Sequence, residues 1–197
     1  MKRIVTTLAA AALLVAATTG AALADSIKGT LGLTGGLGLI VPADSKTEDS
    51  RIIDTDPGFI IGGGIIYGFD DNAAFEMGVT HSMFNSSTVG ARDFDASITD
   101  LSFGLQYRFT PERKLVPYVG AGLDILMPDV EDAKVDTVIG AHIKGGVDYF
   151  FARNIAVTGE LKLTGGLESD ITVAGTRVGK FDPSSVSVMG GVRVYFR

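Results

Sequence analysis

Phe103-Gly104-Leu105-Gln106-Tyr107-Arg108-Phe109 alternates residue by residue between apolar and small or polar side chains. Gly191-Val192-Arg193-Val194-Tyr195-Phe196 keeps the same rhythm at the C-terminus. A period of two sends successive side chains to opposite faces of a strand. One uniformly apolar face backed by a charged one suits a membrane-spanning β-barrel whose polar side is turned inward. Units of this kind, each closed by a turn-rich break, recur from residue 28 to the end of the chain.

The repeat predicts strands near 28–41, 58–69, 74–84, 96–109, 115–127, 137–151, 155–165 and 185–196. Each reaches the roughly 9–11 residues that a tilted strand needs to cross hydrocarbon. The connections alternate in length: 42–57, 85–95, 128–136 and 166–184 are long, whereas 70–73, 110–114 and 152–154 are short. Outer-membrane barrels sort their loops this way, with short periplasmic turns and longer external loops. The expected fold is therefore all-β: an eight-stranded antiparallel transmembrane β-barrel with an up-and-down meander.

The N-terminus reads as an address. Lys2 and Arg3 precede an apolar stretch from Ile4 to Ala17, and Ala22-Leu23-Ala24 supplies a small-x-small cleavage site. Residues 1–24 are expected to be a removed signal peptide, leaving 25–197 as the outer-membrane domain of a Gram-negative envelope protein. A soluble exported protein would carry the same leader. The whole chain has 17 basic and 23 acidic residues, a net charge of -6. Without Lys2 and Arg3 the balance is 15 to 23, or -8. Nucleic acid is excluded as a partner, because its phosphates call for a basic surface. The chain has no cysteine, hence no disulfide and no thiolate metal site.

The two faces can be assigned by parity. Leu31, Leu33, Leu37 and Leu39 share one face with Phe59, Ile61, Leu105, Val188 and Val192. Tyr67, Phe69, Phe75, Tyr107, Phe109, Tyr149, Phe151 and Phe196 gather beside the short turns, as an aromatic girdle at a membrane interface would. The opposite face carries Glu76, Asp100, Gln106, Arg108, Asp124, His142, Lys144, Asp148, Glu160, Lys162 and Arg193, with glycines between them. Such groups facing inward must pair, so they are expected to form an ionic plug, with a hydrated path as the alternative. Lys144 should lie opposite Glu160 or Lys162. The inward apolar residues Ile40, Ile60, Ile66, Phe84, Val138 and Met189 are expected to line a vestibule that touches a small hydrophobic solute.

Four segments together resemble OmpW-type outer-membrane proteins. Tyr67–Glu76 is similar to that family's aromatic-Asp-Asn hairpin, and Leu115–Leu123 to its Pro-Tyr-Val-Gly-Ala-Gly strand. Gly146–Asn154 resembles its Gly-x-Asp-Tyr-Phe turn, and Lys180–Phe196 its ending. The resemblance implies a narrow, partly apolar, porin-like channel that admits small hydrophobic molecules across the outer membrane. It also implies outer-membrane lipid and lipopolysaccharide as surroundings, and the barrel-assembly machinery as a partner of the C-terminal strand. The chain departs from the family in having no Trp and in placing Arg197 after the terminal aromatic. A small barrel that presents its loops for adhesion is the alternative, and a soluble lipocalin-like carrier a third reading.

No enzyme constellation stands out, and no cofactor is expected. His81 and Ser82 are adjacent on one strand and so point to opposite faces. His81 and His142 lie on non-adjacent strands without metal-ligand spacing. Asp44, Glu48, Asp49, Asp54, Asp56, Asp129, Glu131, Asp132 and Asp136 crowd the long loops, where divalent cations bridging lipopolysaccharide could use their oxygens.

Overall fold

The computed structural model describes residues 26–43, 45–47, 52–88, 94–130, 134–167, 169–173 and 176–196. The expected leader, residues 1–24, lies outside them. The strands described are β1 (Leu31–Pro42), β2 (Ser45–Thr47), β3 (Ile52–Thr55), β4 (Gly58–Gly68), β5 (Ala73–Thr88), β6 (Phe94–Arg108), β7 (Leu115–Val130), β8 (Lys134–Val135), β9 (Val138–Ala152), β10 (Ile155–Gly166), β11 (Ser169–Val173), β12 (Thr176–Phe181) and β13 (Ser185–Phe196). The eight long ones, β1, β4, β5, β6, β7, β9, β10 and β13, are the eight expected from the alternation. Each pairs antiparallel with its neighbours, and β13 pairs back onto β1, so the sheet closes. Closure leaves none of these eight strands with an open edge within the barrel wall, which lipid demands.

The registers set how the cylinder leans. Leu31 partners Tyr67, and the row continues through Phe75, Leu105, Ala121, Ile143, Leu163 and Val186. It returns to β1 at Val41, ten residues beyond its start. A stagger of that size around eight strands tilts them by about 40°. Every residue in the row faces outward, so the apolar coat winds around the barrel as one surface.

Leu39, Leu105, Leu123, Ile139 and Ile143 are each at least 60% exposed in the isolated chain. None of the described residues covers them, so the coat is a lipid surface. The girdle aromatics are all exposed as well. They ring the end that carries the short turns. There, the Asn72 side chain donates to the Arg108 carbonyl at 2.8 Å, and the Asn154 side chain to the Tyr195 carbonyl at 3.2 Å. Each asparagine ties one turn to the adjacent strand end.

Two features depart from expectation. The first strand was expected from residue 28, but β1 begins at Leu31. The segment before it folds across the turn-side mouth, with Gly29 in the left-handed region at φ 69°. This tucks Ile27 into a buried cluster with Ile66, Val116, Phe150 and Tyr195, so that end is corked. The long connections are also partly strand. β5 extends to Thr88, where it pairs β3, and β3 pairs β2, β2 pairs β12, β12 pairs β11 and β11 pairs β8. These short segments form a crown at the loop side. Of the loop acids, Asp44, Glu48, Asp49, Glu131 and Asp132 lie outside the described residues, as does the Asp54 side chain; Asp56, Asp129 and Asp136 are exposed.

The lipid coat makes a depth-dependent prediction. Ile143→Arg, near mid-barrel, should cost about 2–4 kcal/mol, whereas Leu167→Arg near the loop side should cost about 0–1. Urea titration of the barrel folded into lipid vesicles measures both; equal costs at the two positions would contradict the assigned coat.

Candidate functional site: the barrel lumen

The inward side chains are layered, and β9 alone displays the order. From the turn side to the loop side they run Phe150, Asp148, Gly146, Lys144, His142, Gly140 and Val138. An apolar floor is followed by two ionic storeys and an apolar ceiling.

The lower storey is a six-membered charge network. Asp148 accepts from Arg108 at 2.8 Å and from Arg193 at 3.2 Å. Arg193 reaches Glu76 at 2.8 Å and Glu160 at 3.7 Å, and Lys144 bridges Glu76 and Glu160, the latter at 3.0 Å. Three cations thus face three carboxylates. Neutral groups complete the shell: Tyr118 donates to Glu160 at 2.9 Å, Arg108 to the Tyr195 hydroxyl at 3.2 Å, and Arg193 to Gln106 at 3.2 Å. The Arg193 guanidinium also lies 4.8 Å from the centre of the Tyr118 ring, close enough for a cation–π contact. Asp148 is wholly buried and is the carboxylate that Arg108 and Arg193 share, whereas Glu76 and Glu160 reach Arg193 alone.

The upper storey is smaller. Lys162 Nζ lies 2.7 Å from Asp100 and 2.7 Å from Asp124, while His142 Nδ1 lies 2.9 Å from Asp124. Lys144 faces Lys162 in register and contacts Glu160 on the diagonal, so both expected neighbours are at hand.

Several inward glycines are the space that these side chains occupy. A Cβ at Gly120 would sit 3.1 Å from Lys144 carbons, and one at Gly104 would sit 3.2 Å from His142 Nε2. A Cβ at Gly122 would meet His142 Cε1 at 2.7 Å. Small residues on β6 and β7 therefore let long charged ones from β9 cross the lumen.

Above the ions, Ile40, Ile60, Ala96, Ile98, Leu126 and Val138 form a buried apolar cluster, with Met189 packed against it. This brings together four of the expected vestibule residues: Ile40, Ile60, Val138 and Met189. Ile66 does not join them. It belongs to the floor with Ile27 and Tyr195, below the ionic storeys, because β4 runs the full height of the wall. The Phe84 side chain lies outside the described residues, although its backbone pairs with Ala96. Ile98 and Leu126 are ceiling residues that parity alone could have assigned, since each continues the inward row of its strand.

A partly open cavity of about 120 Å³ joins these layers. Its lining reaches from Ile40, Ile60 and Ile98 down to Lys144, Glu160 and Arg193. Ser82 is buried and lines it, whereas His81 is on the outer face, with Nδ1 3.1 Å from the Thr99 hydroxyl. The two therefore face opposite sides of the wall. Among the described residues, no three His, Asp or Glu side chains converge as metal ligands.

The profile of the outer membrane protein β-barrel domain family matches residues 9–194. Solved barrels overlay on the same fold at low sequence identity. The outer membrane protein OprG from Pseudomonas aeruginosa is 16% identical with a TM-score of 0.69, over 86% of this chain and 97% of that one. Neisserial surface protein A is 18% identical with a TM-score of 0.60, over 86% and 98%. Escherichia coli outer membrane protein W is 18% identical with a TM-score of 0.54, also over 86% and 98%. The OmpW-type resemblance read from the sequence accords with these overlays. Comparison with curated proteins finds no match.

The shared carboxylate of the lower storey generates the prediction for this site. Asp148→Leu leaves Arg108 and Arg193 buried without their common partner and should destabilise the barrel by about 3–5 kcal/mol. The urea midpoint in lipid vesicles reads this directly. A midpoint unchanged from the parent would mean that Glu76 and Glu160, or water, can stand in for Asp148 at the arginines.

Proposed function

Since the chain belongs to the outer membrane protein β-barrel domain family, we propose that it passes small hydrophobic molecules across the outer membrane of a Gram-negative cell. No covalent step and no cofactor are involved. The observation that carries this reading is the cavity, with its apolar ceiling on the loop side and its approach to the ionic storeys. An eight-stranded barrel has room for side chains or one small ligand. Sugars and salts are thus poor candidates. A small apolar solute would first rest among Ile40, Ile60, Val138 and Met189. To continue along the axis, it must pass the lower network and the Ile27 cork. Those barriers favour slow, selective passage over free diffusion.

The remaining parts of the reading are consistent with an envelope address. Residues 1–24 direct export and are removed. The coat meets outer-membrane lipid, the exposed loop acids meet lipopolysaccharide through divalent cations, and the β13 end at Phe196 engages the barrel-assembly machinery. A second reading, a plugged scaffold that presents its crown for adhesion, is favoured by the tight three-to-three pairing of the lower storey.

Uptake separates the two. Vesicles carrying the pure barrel should take up an apolar fluorescent probe several-fold faster than empty vesicles, and Ile60→Asp should slow that uptake. Rates equal to those of empty vesicles would reject passage and leave the scaffold reading.

A further inference from the structure

The two ionic storeys differ in charge balance. In the lower one, Arg108, Lys144 and Arg193 match Glu76, Asp148 and Glu160. In the upper one, a single ammonium, Lys162, is divided between the carboxylates of Asp100 and Asp124. His142 contacts Asp124 and not Asp100 among the hydrogen bonds of this cluster. Asp100 thus has a share in one ammonium and no second nitrogen donor among the described residues.

The shortfall localises to one atom. Asp100 Oδ2 is held by Lys162, but Oδ1 is buried and finds no hydrogen-bond partner among the described residues, and the side chain is 9% exposed. Other buried carboxylate oxygens lack a hydrogen-bond partner too, yet they are placed differently. Asp148 is not part of the cavity wall, and Glu76 Oε2 rests against Lys144. Asp100 lines the cavity, together with the hydroxyl-bearing Thr80, Ser82 and Ser187. Directly beyond it on β6 comes Ile98, part of the apolar ceiling. A buried carboxylate oxygen without a donor is costly, and a hydrogen-bonded cation relieves both its charge and its lone pair.

We propose that this cavity is a binding station for small monocationic amphiphiles, with an ammonium head on Asp100 Oδ1 and an apolar body among Ile40, Ile60, Ile98 and Leu126. The proposal rests on the reading that apolar molecules reach the lumen, and it names the kind that the site retains. Size follows from the cavity. Its volume of about 120 Å³ is near the roughly 150 Å³ that holds benzene in an engineered apolar cavity. One ring or a short alkyl chain with a single protonated amine fits that limit. A carboxylate of the same shape meets Asp100 and Asp124 as like charges. An uncharged hydrocarbon fills the ceiling but leaves Oδ1 alone.

Benzylammonium, toluene and benzoate test this, as one-ring compounds that differ in the head. Each is titrated into the folded full chain in detergent micelles, with calorimetry for affinity and carbon NMR for the Asp100 carboxyl. Benzylammonium should bind about tenfold tighter than benzoate, and Asp100→Asn should weaken it by about tenfold, as loss of a charged hydrogen bond does. In the unsubstituted barrel, the Asp100 carboxyl resonance should move with benzylammonium and stay with toluene, a readout that holds even if the variant fails to fold. Benzoate binding as tightly as benzylammonium, or an unmoved Asp100 resonance, overturns the proposal. Probe uptake by vesicles judges the parent reading separately. Uptake without benzylammonium preference removes only the cation station, and absent uptake removes passage whatever the titration gives.

Discussion

Charges enclosed by a narrow wall, with lipid outside it, have to be neutralised by one another. Burial of an unpaired ion costs several kcal/mol, and in this lumen the nearest relief is another side chain. The lower storey meets that demand by strict pairing: Asp148 serves two arginines, and Arg193 and Lys144 serve Glu76 and Glu160 between them. Most other features of the interior follow from it.

Long side chains from β9 can lean across the inner wall only where β7 and β6 beside it are bare, which explains glycines at 104, 120 and 122 next to His142 and Lys144. Ions in the middle also need apolar layers at both ends to hold the pairs in a dry setting. Ile27, Ile66, Phe150 and Tyr195 provide the floor, and Ile40, Ile60, Ile98 and Leu126 the ceiling. The stagger of ten residues around the barrel lines up these layers from strands of opposite direction. Outside, the same alternation leaves a continuous apolar coat, so one sequence rhythm serves two solvents.

Much of this was legible in the chain because the two faces differ so strongly. Parity alone separated Leu105 and Val192 from Arg108 and Arg193, and the short turns located the strand ends. What parity could not supply was height. Ile66 and Ile60 sit on the same face of β4, yet they belong to floor and ceiling, because the strand spans every layer between them. Pairing partners were likewise out of reach: Arg108 and Asp148 are forty residues apart and meet only once β7 has paired with both β6 and β9. The crown strands escaped notice because segments as short as Ser45–Thr47 and Ile52–Thr55 are too brief to show a period. Ile27 was read as lying outside the first strand, and only the left-handed turn at Gly29 folds it back into the mouth.

The account depends on apolar side chains meeting lipid while ionic ones stay within the wall. The chain has no Trp, so single reporters are available without background. Leu123→Trp and Ser102→Trp, each folded into vesicles of lipid brominated on its acyl chains, test the two faces by fluorescence quenching. The account predicts strong quenching for Leu123→Trp and little for Ser102→Trp. Quenching of Ser102→Trp with Leu123→Trp shielded from lipid would turn the barrel inside out and contradict it.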